Sequence, residues 1–174
     1  MKPPQVPSFE ALLSSATSSA VHLEMRDTYA VAEEEEELRL WRSGRWSLDD
    51  GRRALAEWMS LVAATVARGV SVRRARIVSE PVTDYIRYEH ALTPLNLEAG
   101  EEVRWLPRRR ADGIWLPHTD FWLIDDRVVR FNHFSGDGTA VEPEVSEERQ
   151  AVATCFFAFT QTWERAVPHE KYSV

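Results

Sequence analysis

Arginine and aromatic side chains lie close together between residues 73 and 105 and form the first group that could do chemistry. Alternation along a strand would place Arg74 and Arg76 on one face, opposite their apolar neighbours. Guanidinium groups beside tyrosine and tryptophan rings suit a flat anionic ligand such as a nucleotide. The alternative is that nearby glutamates neutralise these arginines as ion pairs. The group consists of Arg73, Arg74, Arg76, Asp84, Tyr85, Arg87, Tyr88, Arg104 and Trp105.

The place of this group in the chain predicts where a pocket would lie. Ser79, Glu80 and Pro81 follow a predicted strand over 70–78, and open α/β sheets bind ligands outside the carboxyl ends of their strands. A neighbouring strand could bring Arg104 beside the other guanidiniums. We therefore expect a pocket at this edge of the sheet, with these candidate residues: Arg74, Arg76, Tyr85, Tyr88, Arg104 and Trp105, and Asp120 or Asn132 to orient a polar group.

A second polar group surrounds a predicted hairpin and comprises His118, Asp120, Asp125, Asp126, Asn132, His133 and Asp137. His118 and Asp125 have the spacing of the phospholipase D signature, in which His-x-Lys is followed by four residues and an aspartate. In that signature the histidine is the nucleophile and the lysine grips the phosphate. Asp120 stands at the lysine position here and would repel a phosphate. The alternative for Asp125 and Asp126 is ordinary turn chemistry.

Most of the common catalytic and cofactor motifs are absent from the sequence. It has no phosphate-binding glycine loop, no nucleophile elbow, and no cysteine or histidine pair at zinc spacing, so we expect no metal and no cofactor. Cys155 is the one cysteine, which excludes an intrachain disulfide. It falls in an apolar helical stripe, and we interpret it as a buried hydrophobic residue rather than a nucleophile.

Composition and charge restrict the class of protein. The chain has 174 residues, is 44% hydrophobic and has a formal net charge of −7, which argues against a binder of nucleic acid phosphates. No apolar run reaches the roughly 20 residues of a membrane span, and the first residues lack the apolar segment of a signal peptide. We therefore expect a cytoplasmic protein. The acidic run Glu33–Glu37 is expected to be solvated and to suit a basic partner.

Hydrophobic periodicity predicts an α/β fold. We expect a loose arm over 1–7 and a single domain over 8–174, with a central mixed sheet of about five strands, flanking helices and a C-terminal amphipathic helix. Strands are predicted near 19–26, 70–78, 102–106, 120–125 and 128–134. Long helices are predicted near 48–68 and 145–165, and a further helix begins at Thr83 and ends at Pro94.

The same patterns predict the core and the surface. The predicted core consists of Trp58, Val62, Val72, Ile77, Phe121, Leu123, Val129, Phe131, Phe156 and Phe159. Seven tryptophans exceed what one small core needs. Trp41, Trp46 and Trp115 fall in or near predicted loops, which indicates anchors of an interface, with an oligomer as one option.

Several long segments resemble a streptomycete-type domain family of unknown function. They are SAVHLEMRDTY, RGVSVRRARIVSEPVTDYIRYEH, AGEEVRWLPRR, DFWLIDDRVVRFNHFSGDG and WERAVPHEKY, and together they span nearly the whole chain. Genes of that family are typically found beside those of helix-turn-helix transcriptional regulators. The resemblance therefore implies a regulatory accessory role and a regulator protein as partner.

Two hypotheses about function remain after these observations. The first is a non-enzymatic regulatory protein that acts with a helix-turn-helix regulator. The second is a domain that binds an anionic small molecule or nucleotide, including a degenerate phosphodiesterase-like enzyme. Neither hypothesis involves direct contact with nucleic acid or a membrane.

Overall fold

The strands of the computed structural model, which describes residues 6–174, are joined in one mixed sheet of seven strands. The predicted arm over 1–7 falls mostly outside the described residues. The strands are β1 (Ser19–Glu24), β2 (Ser71–Val78), β3 (Glu102–Pro107), β4 (Asp120–Ile124), β5 (Val128–Asn132), β6 (Glu144–Ser146) and β7 (Val167–Pro168). Their order in the sheet is β6-β5-β4-β1-β2-β3-β7.

The strands β1, β2 and β3 are parallel, and each other neighbouring pair is antiparallel. Helical crossovers join the parallel strands, as the alternation of helix and strand patterns requires. The predicted fold class is confirmed. Sequence patterns missed only β6 and β7, because edge strands of three and two residues are too short to show alternation.

Helices cover both faces of the sheet. They are α1 (Phe9–Ser15), α2 (Glu35–Arg42), α3 (Leu48–Ala54), α4 (Ala56–Ala67), α5 (Asp84–Glu98) and α6 (Arg149–Arg165). Side chains cap the N-termini of three helices: the hydroxyls of Ser8 and Thr83 accept hydrogen bonds from backbone N–H groups, and Ser47 forms a capping box with Asp50.

Two helix predictions need correction. The helix predicted near 48–68 is divided at Leu55, so that α3 packs against α5; Gly51 permits this close approach, since a Cβ there would meet Leu92 at 2.6 Å. The helix predicted to end at Pro94 continues to Glu98. A proline removes only one backbone donor, and the burial of Leu95 in the following turn stabilises the continuation.

The hairpin between β4 and β5 turns at Asp125 and Asp126, as predicted. Both residues have φ of +51°, and the N–H of Arg127 donates to the carbonyl of Ile124 at 2.9 Å. Positive φ at both central positions is the signature of a type I′ turn, whose twist matches that of the flanking strands. Aspartate tolerates this conformation better than most residues.

The core between the sheet and α6 is apolar. Val21, Leu23, Ala75 and Ile77 project from the central strands toward α6, which contributes Cys155, Ala158 and Phe159 among others. Eight of the predicted core residues are buried: Val62, Val72, Ile77, Phe121, Leu123, Val129, Phe131 and Phe159.

Two predicted core residues are not fully buried. Trp58 is half-buried, because it borders a cavity described below. Phe156 is 39% exposed, since it lies about 100° around α6 from Cys155 and so at the margin of the buried stripe. The neighbouring Phe157 is 61% exposed.

The tryptophans predicted as interface anchors have different environments. Trp41 and Trp46 pack edge-on against the ring of Tyr88, with centroids 6.3 and 5.9 Å apart, and both are half-buried. Trp115 is 85% exposed. In the described part of the chain, no helix combines the length and the apolar character that crossing a membrane requires.

The substitution Phe159→Ala is expected to lower the free energy of unfolding by about 3–5 kcal/mol, because it opens a cavity under α6. Phe157→Ala is the matched control on the same helix, and its expected effect is within about 0.5 kcal/mol. Urea denaturation of both variants measures the difference. Equal effects of the two substitutions would contradict the orientation of α6.

Candidate functional site

The face of the sheet opposite α6 carries polar residues in two rows that cross the strands. The register aligns Arg130, Trp122, His22 and Arg74 on β5, β4, β1 and β2 in the first row. The second row contains Asn132 and Asp120 on β5 and β4, followed by Glu24, Arg76 and Trp105 on β1, β2 and β3. Alternation produces both rows, because the residues between them project toward α6.

Ion pairs neutralise Arg74 and Arg76, the two arginines of β2 that face the cavity. Arg74 pairs with Glu24 and, through Nε at 2.7 Å, with Glu101. Arg76 pairs with Glu24 at 2.9 Å and with Glu89 of α5. Burial would raise the pKa of Glu24, but the two guanidiniums outweigh it and hold this pKa at about 2. Glu24 is therefore ionised and bridges both arginines.

Above this network lies the central cavity, which has two connected parts. The aromatic chamber, with a volume of about 390 Å³, is bordered by Phe9, Trp58 and Trp122. The acidic chamber, of about 200 Å³, is bordered by Asp120 and by residues of the segment before α2. Both chambers share the side chains of His22, Glu34, Arg74 and Glu89.

The aromatic chamber combines stacked rings with nitrogens that have no partner. The ring of Phe9 lies 4.8 Å from that of Trp122 and 5.7 Å from that of Trp58. Among the described residues, Trp58 Nε1, Arg130 Nε and both ring nitrogens of His22 are buried without a hydrogen bond. Burial is also the main reason why the pKa of His22 is lowered, so its ring is neutral.

The acidic chamber contains two carboxylates that tyrosines bind. The hydroxyl of Tyr85 donates to Glu34 at 2.7 Å. Asp120 accepts hydrogen bonds from the backbone N–H of Met25 at 2.8 Å and from the hydroxyl of Tyr29. Burial raises the pKa of Glu34 to about 7, with repulsion from nearby carboxylates such as Glu89, and burial raises that of Asp120 to about 7.

The structure brings five of the predicted site residues to the central cavity: Arg74, Arg76, Tyr85, Asp120 and Asn132. The cavity lies over the middle of β2 and not at the end of that strand, where the sequence predicted a pocket. A separate pocket of about 340 Å³ lies at that end of β2, and it is bordered by Ser79, Glu80, Arg108, Arg109 and Asp112 and by none of the predicted site residues.

Three other candidates do not border the cavity. Arg104 projects to the α6 face, where it donates to the carbonyl of Trp163 at 3.1 Å, since it aligns with Ala75 rather than with the arginines of β2. Trp105 stacks on Tyr172 behind Arg76. Tyr88 is enclosed by Trp41 and Trp46.

The residues with phospholipase-like spacing are dispersed. Asp125 accepts hydrogen bonds from the N–H groups of Thr17, Ser18 and Ser19, which outweigh burial and lower its pKa, so its role is to hold the start of β1. His118 stacks on His133 with centroids 5.4 Å apart and lies beside Phe131, on the α6 side of the sheet.

His133 and Cys155 also lie away from the cavity. His133 Nε2 is 3.4 Å from a carboxylate oxygen of Glu144. Burial raises the pKa of the Cys155 thiol to about 12, so it is not a reactive thiolate. Between residues 6 and 174, no three metal-binding side chains are grouped so that they could hold a metal ion.

Several residues of the cavity escaped sequence reasoning: His22, Glu24, Glu34, Trp58, Glu89, Trp122 and Arg130. The acidic run was expected to be solvated, yet Glu34 lies at the cavity and Glu37 accepts a hydrogen bond from Trp46. A signal existed in β1, where His22 and Glu24 alternate with apolar residues. Because parallel central strands are covered on both faces, such polar residues are buried.

Comparison with known proteins decides the family. Residues 7–174 match the model of a domain of unknown function, DUF6879. The chain belongs to the DUF6879 family. This match confirms the resemblance to a family of unknown function that the sequence segments indicated. No curated protein matches its sequence.

Two solved structures resemble the DUF6879 chain. One is Nuc, a phospholipase D family member from Salmonella typhimurium, at 12% identity and a TM-score of 0.50, covering 91% of this chain and 86% of that one. The other is TrmBL2, an archaeal chromatin protein, at 12% identity and a TM-score of 0.47, covering 90% and 47%. The first likeness confirms the predicted phospholipase D-like similarity at the level of the fold.

The substitution Glu34→Gln is expected to stabilise the DUF6879 chain at about pH 8 by up to about 3 kcal/mol. The pKa of Glu34 is raised on folding, so its contribution to stability is complete below the unfolded value and is lost as the pH rises through about 7. The gain should disappear near pH 4.

Urea denaturation at both pH values measures this difference, with the exposed Glu35→Gln of the same acidic run as the control. A gain that is independent of pH would show that Glu34 is not held in a carboxylate-rich, buried position.

Proposed function

We propose that this protein binds a small organic molecule in the central cavity. The observation that carries the proposal is the convergence of buried, unpartnered nitrogens of His22, Trp58 and Arg130 on one aromatic-lined space. A buried polar group without a partner costs about 1–3 kcal/mol. A bound molecule with acceptor atoms at these nitrogens removes that cost.

The shape and lining of the aromatic chamber support a flat ligand. Its volume of about 390 Å³ is within the range of about 300–1,000 Å³ that is typical of ligand sites. The rings of Phe9, Trp58 and Trp122 supply apolar surface for a planar group. The few polar atoms around them are positioned to orient that group.

The ion network beneath the cavity supports the same proposal. Buried ion pairs are seldom a source of stability, and apolar residues of similar volume often stabilise a core as well or better. Arg74 and Arg76 therefore form a charged wall of the cavity in a fixed position, since two carboxylates hold each guanidinium. The basis for an anionic ligand at these two guanidiniums is thereby removed, because carboxylates of the chain already neutralise them.

A library of small aromatic compounds provides the test, observed by NMR through the indole N–H signals of the protein. Compounds that bind are expected to shift the Trp58 signal and to leave that of the exposed Trp115 unchanged. At a hundredfold excess over its Kd, a bound compound should also add about 2.7 kcal/mol to the free energy of unfolding.

The cavity-filling substitution Leu55→Trp is the decisive variant, because Leu55 borders the aromatic chamber. It should abolish binding of the same compounds while the thermal unfolding transition stays cooperative. Compounds that shift Trp115 alone, or that bind the filled variant equally well, would place the site elsewhere.

A regulatory partnership with a helix-turn-helix protein is the second candidate function, and it was first suggested by the family resemblance. The exposure of Trp115, at 85%, favours a protein partner, because exposed tryptophans are frequent anchors of interfaces. Ligand binding in the cavity and contact with a regulator are compatible, since Trp115 does not border the central cavity.

Trp115→Ala is expected to weaken binding to such a regulator by about 2 kcal/mol or more, the cost of losing an interface anchor. Calorimetric titration of the purified pair measures this change. Val141→Ala, which alters another exposed apolar residue, is the control. Absence of binding by the unmodified protein at micromolar concentration would reject the partnership.

A further inference from the structure

We propose that the ligand of the central cavity carries an alkylammonium group, which binds between Glu34 and Asp120 in the acidic chamber. This inference rests on the proposed function, because it describes one end of the same ligand. It replaces the anionic ligand expected from the sequence with a cationic group at a defined place.

Both carboxylates face the acidic chamber with binding capacity unused. Tyr85 donates one hydrogen bond to Glu34, and Asp120 accepts one from a backbone N–H and one from Tyr29. An ionised carboxylate can accept about four hydrogen bonds. Within residues 6–174, neither Glu34 nor Asp120 has an ion-pair partner, in contrast to Glu24, which binds two arginines.

The tyrosines that bind the two carboxylates are neighbours on the wall of the acidic chamber. The rings of Tyr29 and Tyr85 are 5.7 Å apart, and their hydroxyls bind Asp120 and Glu34 respectively. The chamber between them has a volume of about 200 Å³. A compact ammonium on a short alkyl chain suits such a space better than a large planar cation.

The buried network has more carboxylates than guanidiniums, and a bound cation would reduce this excess of negative charge. Its carboxylates are Glu24, Glu34, Glu89, Glu101 and Asp120, whereas its guanidiniums are Arg74, Arg76 and Arg130. Burial is the main reason why the pKa values of Glu34 and Asp120 are raised to about 7, and repulsion from neighbouring carboxylates adds to the shift. A cation between them would restore their ordinary ionisation.

His22 supplies an independent indication of a ligand at this place. It is only 7% exposed, it borders both chambers, and neither ring nitrogen makes a hydrogen bond, although Nδ1 is 3.5 Å from Glu24. The neutral ring has one nitrogen with a free lone pair. That nitrogen can accept a hydrogen bond from an ammonium group that the carboxylates hold.

Aromatic faces complete the surroundings expected for an ammonium group. Tyr29, Tyr85 and Phe134 line the acidic chamber, and the rings of Tyr29 and Phe134 are 5.2 Å apart. Ring faces attract cations, and cages of such rings recognise alkylated ammonium groups. The adjoining aromatic chamber then receives the apolar part of the same molecule.

Three probes that differ in one terminal group test the inference: 2-phenylethylamine, 2-phenylethanol and 3-phenylpropionate. Calorimetric titration at about pH 8 keeps the amine protonated and the carboxylates largely ionised. The amine is expected to bind about 10- to 100-fold more tightly than the alcohol, the gain of a charge-assisted hydrogen bond. The carboxylate probe is expected to bind more weakly than the alcohol.

The double variant Glu34→Gln, Asp120→Asn should reduce amine binding to the level of the alcohol and leave alcohol binding unchanged. Glu35→Gln, an exposed residue beside Glu34, is the control and should alter neither. If Glu34→Gln or Asp120→Asn alone keeps tight amine binding, one carboxylate is sufficient to hold the ammonium group, and a site that needs both is overturned.

The outcomes separate the two proposals. Alcohol or carboxylate binding as tight as that of the amine, with a shifted Trp58 indole signal, would overturn the cationic group and support the cavity as a binding site. If none of the three probes binds and the aromatic library also fails, both proposals are overturned. The comparison of probes on the unmodified protein decides the matter even if the double variant does not fold.

Discussion

The carboxylate of Glu24, buried between the guanidiniums of Arg74 and Arg76, is the interaction on which the polar half of this fold depends. Glu24 and Arg76 are direct partners in the parallel ladder of β1 and β2, so the ion pair requires the correct register. A shift by one residue would turn every charge toward the apolar face of α6. Removing one partner would leave an uncompensated charge in the interior, which costs several kcal/mol.

This constraint divides the protein into two halves with different roles. The α6 face of the sheet is an ordinary apolar core, and burial of groups such as Phe159 stabilises the fold there. The opposite face combines apolar clusters, such as that of Leu13, Val62 and Val72, with the charged network and the cavity.

The likeness to a phospholipase D family member concerns the arrangement of strands and helices. The residues with phospholipase-like spacing do not meet, because His118 lies on the α6 side while Asp120 faces the cavity and Asp125 holds a turn. The likeness is therefore one of fold, and the residues with that spacing form no common site in this chain. Fold similarity by itself does not transfer an activity.

The sequence by itself determined the local elements, because periodicity and caps act over a few residues. It predicted the five longer strands, the amphipathic α6 and the turn at Asp125. It also identified Arg74 and Arg76 as partners on one face. Only the tertiary structure decided that Arg104 lies on the other face and that Glu34 belongs to a cavity. Those outcomes depend on strand register and on which helix covers which face, and these are set by contacts between residues far apart in the chain.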